Sequence, residues 1–402
     1  MCTCSFRTRL GVTKRWVSLL ICTLFCPTSL AYDRTTEAGE AGIHDGAVEC
    51  QPYWYPPVAS SLALFPTIWQ TASIVSNDSA AWDIFKSLSG AIPNNAIKGT
   101  IDGDFSHIFP TYPKNDPDCW WTYGQCTTPK LQSLPPDVFA VPEPRTLGYG
   151  FDDGPNCSHN AFYDYLLSND QQATMFFIGS NVMNWPLEAQ RALVDGHEIC
   201  VHTWSHHYMT GLSNQAAFAE LYYTIELVTG VTPTCWRPPF GDVDNRIRAI
   251  ANGLGLRTVL WSYDSNDWRA GVGNVTAADV DANYERFINE ANSGKFDNMG
   301  TVMLFHELNN FTMSEATKYH PQLKASFNRI VPIGAASGWA SAYTGNIASP
   351  IPAGPSQATM GRTAMNNVSP TPGFHMKSGA ANLQHPILST ISPILICIVL
   401  TI

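Results

Sequence analysis

From Thr146 to about Ile333, short apolar runs alternate with amphipathic stretches, and this alternation constrains the fold more than any other feature of the chain. The runs Thr146–Phe151, Ala173–Ile178, Glu198–His202, Thr258–Tyr263 and Thr301–Phe305 predict strands. Between them, Asn160–Leu167, Pro186–Val194 and Gln215–Val228 predict helices; Pro186 suits a first helical turn, and Gly196 and Gly230 stand where helices end. Strands separated by helices imply a largely parallel sheet, hence an α/β fold. A distorted (β/α) barrel is favoured over an open sheet, because the reactive side chains collect at one end of the strands.

Those side chains follow the strands in order. Asp152 and Asp153 follow the first, His202 closes the third, and Arg237 comes after the short run Thr234–Trp236. Asp264 and Asp267 follow Thr258–Tyr263, and His306 follows Thr301–Phe305. In a barrel, the C-terminal strand ends form a single rim, so these groups can converge on one cavity. An acidic pair and two histidines four residues apart, His202 and His206, can supply three ligands to a zinc-like ion and leave one carboxylate uncommitted. Three protein ligands with an open position make a hydrolytic metal site, because the open position holds the attacking water. Each piece also has an ordinary reading: Asp-Asp-Gly-Pro is a common turn sequence, and an arginine before two prolines is commonly a surface residue.

The rest of the chain is organised differently. Residues 1–31 carry Arg7, Arg9, Lys14 and Arg15 ahead of the apolar stretch Trp16–Phe25 and the small-x-small site Ser29-Leu30-Ala31, the pattern of a secretory signal. Residues 32–140 are rich in proline and tryptophan (Trp54, Trp69, Trp82, Trp120, Trp121) without periodicity. They are expected to form an irregular extension packed on the barrel, with a small sugar-binding module as the alternative. The catalytic unit is expected at 141–335, a stalk rich in Ser, Thr, Pro, Ala and Gly at 336–378, and a glycolipid-anchor signal at 379–402. Six cysteines remain between the two terminal segments, an even number that suits an oxidising compartment, and Cys119 with Cys126 is the expected local pair. Sequons at Asn77, Asn156, Asn274, Asn310 and Asn367 agree with export, with Asn156 expected to stay unmodified beside the acidic motif. A net charge of −10 argues against nucleic acid or an anionic membrane surface as partner.

Five motifs stand in order: Phe151-Asp152-Asp153-Gly154-Pro155, His202-Thr203-Trp204-Ser205-His206, Arg237-Pro238-Pro239-Phe240, Asp264-Ser265-Asn266-Asp267-Trp268 and Leu304-Phe305-His306. The series resembles the polysaccharide deacetylases of carbohydrate esterase family 4 over roughly residues 140–335, and within them most resembles the fungal, glycolipid-anchored chitin deacetylases. The resemblance implies that Asp153, His202 and His206 bind a divalent metal, zinc or alternatively cobalt, while Asp152 is the general base. It implies that Arg237 orients Asp152, that Phe240 lends its backbone N–H to the oxyanion, and that His306 is the general acid with Asp267 as its partner. Asp264 is the runner-up for that partnership. Leu304 and Trp268 would line a pocket for the acetyl methyl group, although both also read as plain core residues. Thr203 would shape the histidine loop through its hydroxyl, and His44, His107, His159 and His197 are read as structural or surface residues. The sequence departs from the family pattern at Gly150, where threonine is common; this is expected to alter fine geometry only.

The activity so implied is metal-dependent hydrolysis of N-acetyl groups on N-acetylglucosamine residues of chitin, releasing acetate and giving chitosan. The alternatives are the same chemistry on another acetylated polymer, such as partly acetylated glucosamine polymer or xylan, and a non-catalytic cell-wall mannoprotein. The partners implied are chitin or a related cell-wall polysaccharide and, through the glycolipid anchor, the membrane. The protein is expected to be a monomer secreted to the cell surface.

Overall fold

The computed structural model describes residues 32–227, 231–339 and 343. The leader at 1–31, Val228, Gly230, Asn367, most of the stalk and the anchor segment at 379–402 lie outside the described residues.

Eight strands form one sheet: β1 (Thr146–Gly154), β2 (Thr174–Phe177), β3 (Glu198–Val201), β4 (Cys235–Trp236), β5 (Arg257–Thr258), β6 (Tyr263–Asp264), β7 (Thr301–His306) and β8 (Arg329–Pro332). Every ladder is parallel, in the order β5-β4-β3-β2-β1-β7-β6, with β8 joined to β1. The chain is therefore a distorted (β/α) barrel, a curled parallel sheet with helices between its strands. β1 is its centre: Gly150 to Gly154 pair with β2, Leu147 to Asp152 with β7, and Thr146 to Tyr149 with β8. Both faces of β1 are buried: Leu147, Tyr149 and Phe151 fill one, and Gly148 and Gly150 leave room for close packing on the other.

The intervening helices form where the sequence places them. Asn160–Ser168, Pro186–Val194 and Asn214–Leu227 match the expected spans, with Pro186 in the first turn of its helix. Gly196 takes φ +82 just beyond the second of these helices, a left-handed position that glycine fills without steric cost.

Three expectations need correction. The expected strand Thr258–Tyr263 is two short strands, because Val259 pairs with Val138 and Leu260 N donates to Val138 O, so the extension takes the bonds that would have continued the strand. The acidic pair lies inside β1, not after it, since the strand persists to Gly154. The packed structure also runs past 335: Ile333–Ala336 is a short helix with Gly334 buried, and Tyr343 Oη donates to His197 O and accepts from Ile199 N. A Cβ on Gly334 would lie 2.2 Å from the buried Glu198 carboxylate, so that glycine serves close packing.

Residues 32–140 contact the barrel at several separate points. Trp120 and Trp121 are buried, Trp82 is half-buried, and Trp54 and Trp69 are exposed. Trp120 Nε1 donates to Asp242 Oδ1 at 2.9 Å, and Trp121 packs edge-on against Trp261. Disulfides close Cys50–Cys157, Cys119–Cys126 and Cys200–Cys235, so the expected local pair forms and the first bridge ties the extension to the segment after β1.

Candidate functional site

Adjacent residues of a regular strand point to opposite faces, so Asp152 and Asp153 could not share one site on an unbroken β1. The strand breaks its register with β2 between Asp152 and Gly154, and Asp153 takes φ +74. This irregularity turns both carboxylates the same way: Asp152 Oδ2 lies 3.7 Å and Asp153 Oδ1 3.4 Å from His202 Nε2. A Cβ at Gly154 would stand 2.5 Å from Glu307 Oε2 and 2.8 Å from the Phe177 ring, so the turn requires glycine there. Gly150 is equally enclosed: a Cβ would meet Thr174 O at 2.8 Å and Ile333 Cδ1 at 3.1 Å, so the space that a threonine would need is occupied.

His202 follows β3 and His206 lies four residues on. The loop between them turns through two non-glycine left-handed residues, Thr203 at φ +66 and His206 at φ +58, and His206 N donates to Thr203 Oγ1 at 3.1 Å. His206 Nε2 approaches Asp153 Oδ1 at 3.1 Å, and the two imidazole centroids are 5.0 Å apart. His202 Nδ1 lies 2.8 Å from the carbonyl of Arg237; a carbonyl only accepts, so Nδ1 carries the proton and Nε2 faces the aspartates.

These residues suit a divalent cation. The ligand atoms of Asp153, His202 and His206 lie within 4.8 Å of one another. Asp153 Oδ1 is buried without a well-directed hydrogen bond, an arrangement that is costly unless a cation or a donor completes it. Burial alone would raise the Asp153 carboxyl, but the His206 charge and the imidazole contacts outweigh it and hold the group well below the usual carboxylate range. A second grouping, Glu198 with Cys200 and Cys235, is not a metal site because its two sulfurs form a disulfide.

Asp152 is held from its other oxygen. Arg237 is wholly buried and its Nη1 donates to Asp152 Oδ1 at 2.7 Å, with the guanidinium 4.0 Å over the Phe176 ring. Burial lowers the Arg237 pKa while the Asp152 charge opposes that fall, and a guanidinium keeps its proton regardless. Arg237 is thus no surface residue.

The second pair lies across β1. His306 ends β7 in register with Asp152, and its Nδ1 lies 2.6 Å from Asp267 Oδ1. The backbone N–H of His306 donates to Asp267 Oδ2 at 3.1 Å, so a single carboxylate fixes both the ring and the main chain. Burial would depress the imidazolium, but Asp267, and then Asp153 and Asp152, raise it to about 10. Asp264 does not make this contact; its Oδ1 accepts from Asn266 N at 2.7 Å. Leu304 is buried in β7 opposite Asp264, and Trp268, 40% exposed, donates its N–H to Asp267 Oδ1. The two bracket the Asp267–His306 pair from separate elements. Phe240, at φ +58 and 45% exposed, sets its ring edge-on to His206 at 4.7 Å and stacks on Tyr208 at 4.0 Å.

Sequence reasoning missed two buried carboxylates beside these groups. Glu307, next to His306, accepts from Asn156 N at 2.9 Å and Tyr163 Oη at 3.0 Å, faces His159 Nδ1 at 2.8 Å, and donates its own N–H to Asp152 O. Glu220 bonds the loop between the two histidines. A charged residue inside an apolar helical run, Phe218 to Leu221 for Glu220, is the available signal, since such a group is buried only with partners. At Asn156 the side-chain amide already donates to Leu308 O at 2.7 Å.

A family described as polysaccharide deacetylase matches residues 140–259. A protein named chitin deacetylase 2 from Cryptococcus neoformans is 55% identical over 307 residues, covering 74% of this chain and 67% of its own. One named chitin deacetylase from Amylomyces rouxii is 42% identical over 299 residues, covering 72% of this chain and 70% of its own. Among solved structures, the chitin deacetylase of Colletotrichum lindemuthianum superposes with a TM-score of 0.47 at 23% identity, over 53% of this chain and 98% of that one.

Proposed function

The chain belongs to the polysaccharide deacetylase family, and from that premise we propose that it hydrolyses the N-acetyl groups of N-acetylglucosamine residues in chitin, releasing acetate and leaving free amines. The observation that carries this reading is the pairing of two unlike carboxylates. Asp153 Oδ1 is buried without a hydrogen bond between two imidazoles, while Asp152 beside it is held by Arg237.

When bound by Asp153, His202 and His206, a divalent ion supplies Lewis acidity at the carbonyl and lowers the pKa of the attacking water; the mixed nitrogen and oxygen donor set suits zinc, with cobalt as the alternative. Asp152 takes the water's proton, and Arg237 aims that carboxylate. The Phe240 N–H donates to the carbonyl oxygen as negative charge develops there. His306, protonated at neutral pH and held through Nδ1 by Asp267, gives its Nε2 proton to the departing nitrogen as the C–N bond breaks. Leu304 and Trp268 exclude water around the acetyl methyl.

The same reading has the protein exported and glycolipid-anchored at the cell surface. Three disulfides uniting all six cysteines of the described residues support an oxidising compartment. Release from cells by a phosphatidylinositol-specific phospholipase C is the corresponding assay, and a protein retained after treatment contradicts the anchor.

The test of the activity is incubation of purified protein with chitin oligomers, partly acetylated glucosamine oligomers and acetylated xylan, with zinc or with chelator. Chelator-sensitive acetate release, greatest on chitin oligomers, is expected. A metal-loaded protein that releases acetate from none of them would sink the proposal, and preference for xylan would move the substrate class.

A further inference from the structure

Glu220 lies within the helix Asn214–Leu227 with no exposed surface, and it accepts four hydrogen bonds. Trp204 N at 2.9 Å and Ser205 N at 2.8 Å donate to Oε2. Ser205 Oγ at 2.6 Å and Ala72 N at 2.8 Å donate to Oε1. Three of these donors belong to the two residues immediately before His206, inside the loop that joins it to His202. The fourth belongs to the extension, about seventy residues outside the matched family region.

The extension grips the same loop at three further points. Ser180 Oγ accepts from Trp69 N at 2.8 Å and donates to Trp204 O at 2.6 Å, so it bridges the extension to the loop. Trp204 Nε1 donates to Thr67 O at 3.0 Å, and the Phe65 ring stacks on Trp204 at 5.9 Å. The loop needs such support. Left-handed backbone at Thr203 and His206 is unfavourable for residues with a side chain and persists only where the surroundings over-determine it. A carboxylate with two acceptor oxygens is the one side chain that can receive all four donors at once, and it must, because it has no access to water.

We propose that Glu220 is a positioning residue for the metal centre, and that residues 65–72 of the extension are a working part of that centre: together they hold 203–205 in the shape that aims both imidazoles at Asp153. This rests on the reading of Asp153, His202 and His206 as metal ligands. The alternative is a carboxylate that only ties a helix to a loop; its loss would lower stability yet leave the affinity of the folded protein for metal unchanged.

The deciding measurement is zinc affinity of the full chain, by competition with a chromophoric chelator, well below the melting temperature and with circular dichroism reporting the fold. In Glu220→Gln one acceptor oxygen becomes an amide donor facing N–H groups, and zinc binding is expected to weaken about 10–100-fold, as for removal of other groups that orient ligands. Ser205→Ala and Ser180→Ala each remove one hydroxyl from the network, the second on the extension side, and each is expected to weaken zinc roughly twofold to tenfold. A folded Glu220→Gln protein with wild-type affinity overturns the proposal. Should that variant fail to fold, the two serine variants decide, and wild-type affinity in both overturns it. A wild-type protein that binds no zinc sinks both this inference and the ligand assignment beneath it, whereas zinc-binding wild type with unaffected variants sinks this inference alone.

Discussion

The barrel strands and the extension hold their shapes by different means. β1 and β7 carry reactive groups, and β3 ends one residue before His202, on parallel ladders whose residues are buried on both faces, so a one-residue slip would expose or misdirect every side chain at once. The extension from 32 to 140 has short helices but no strand of its own, and beside scattered main-chain bonds such as Leu260 N to Val138 O it is secured by side-chain contacts: Trp120 and Thr122 on Asp242, Lys98 between Asp244 and Asp118, Arg248 on Asp137 and the Cys119 carbonyl, and two disulfides. A ladder places an atom through many equivalent bonds, so single losses are shared. A stapled segment depends on a few particular ones. Substitutions in the barrel should therefore act on the chemistry at nearly constant stability, and substitutions in the extension on stability or metal retention.

The sharpest break in that contrast would come from Asp152→Asn. The amide keeps the shape and β1 is unaltered, but the proposed base is gone, so acetate release should fall about 10²–10⁴-fold while zinc content stays near wild type. Near-normal acetate release would remove Asp152 from the role. His206→Ala acts one step earlier: one of the three proposed ligands is lost, and zinc recovered per chain after dialysis should drop well below that of wild type. Unchanged zinc stoichiometry would contradict the assignment.

Asp267→Asn tests the second pair and carries a pH signature. His306 is held near 10 chiefly because the Asp267 charge and hydrogen bond outweigh burial. The protonated ring is the form that donates, so activity is lost as pH rises through that value. Without the carboxylate charge the ring releases its proton at lower pH, and the alkaline limb of the rate profile should move down by at least about one unit, with a rate loss of roughly 10–100-fold at neutral pH. The stability sign is the same: a raised histidine pKa contributes stability that is complete below the unfolded value and disappears as pH climbs through about 10. An alkaline limb that stays in place in the variant would show that Asp267 does not set the acid.

For the extension, Cys50→Ser with Cys157→Ser opens a bridge spanning 107 residues, and the chain-entropy argument puts the cost at about 3–5 kcal/mol. This bridge ties the segment around Cys50, not residues 65–72, so melting temperature should fall while zinc affinity of the folded protein holds. Loss of zinc affinity would mean that the two parts of the extension act as one clamp and would blur the distinction drawn above.

The barrel was legible in the sequence because its strands and helices have periods, and because Pro186 and Gly196 mark ends that backbone sterics dictate. The gathering of the candidate groups was legible because they recur at or beside strand ends. What escaped is what depends on distant partners. At the interruption between β5 and β6, where the chain passes from the β4 ladder to the β7 ladder, Val138 arrives from the extension to pair with Val259. Glu220 and Glu307 look like ordinary helix and loop acids until the loops they bond are folded around them. Of the five tryptophans in the extension, the two that are buried outright, Trp120 and Trp121, could not be told from exposed Trp54 and Trp69 by local pattern, since nothing periodic says which way a loop residue faces.

Phe240 offers the smallest and most discriminating effect, because its main chain and side chain belong to different arguments. The proposed oxyanion donor is the backbone N–H, which Phe240→Ala retains. The ring, stacked on Tyr208 and edge-on to His206, contributes packing. Its removal should cost about 0.5–1.5 kcal/mol, the usual worth of an aromatic pair, and the left-handed backbone is as unfavourable for alanine as for phenylalanine, so the turn gains no relief. A twofold to tenfold loss of kcat/KM with zinc content intact is expected. A loss as deep as that of Asp152→Asn would mean that the ring, half-exposed over a metal ligand, holds His206 itself in place. The rim of the barrel would then depend on single contacts in the way the extension does.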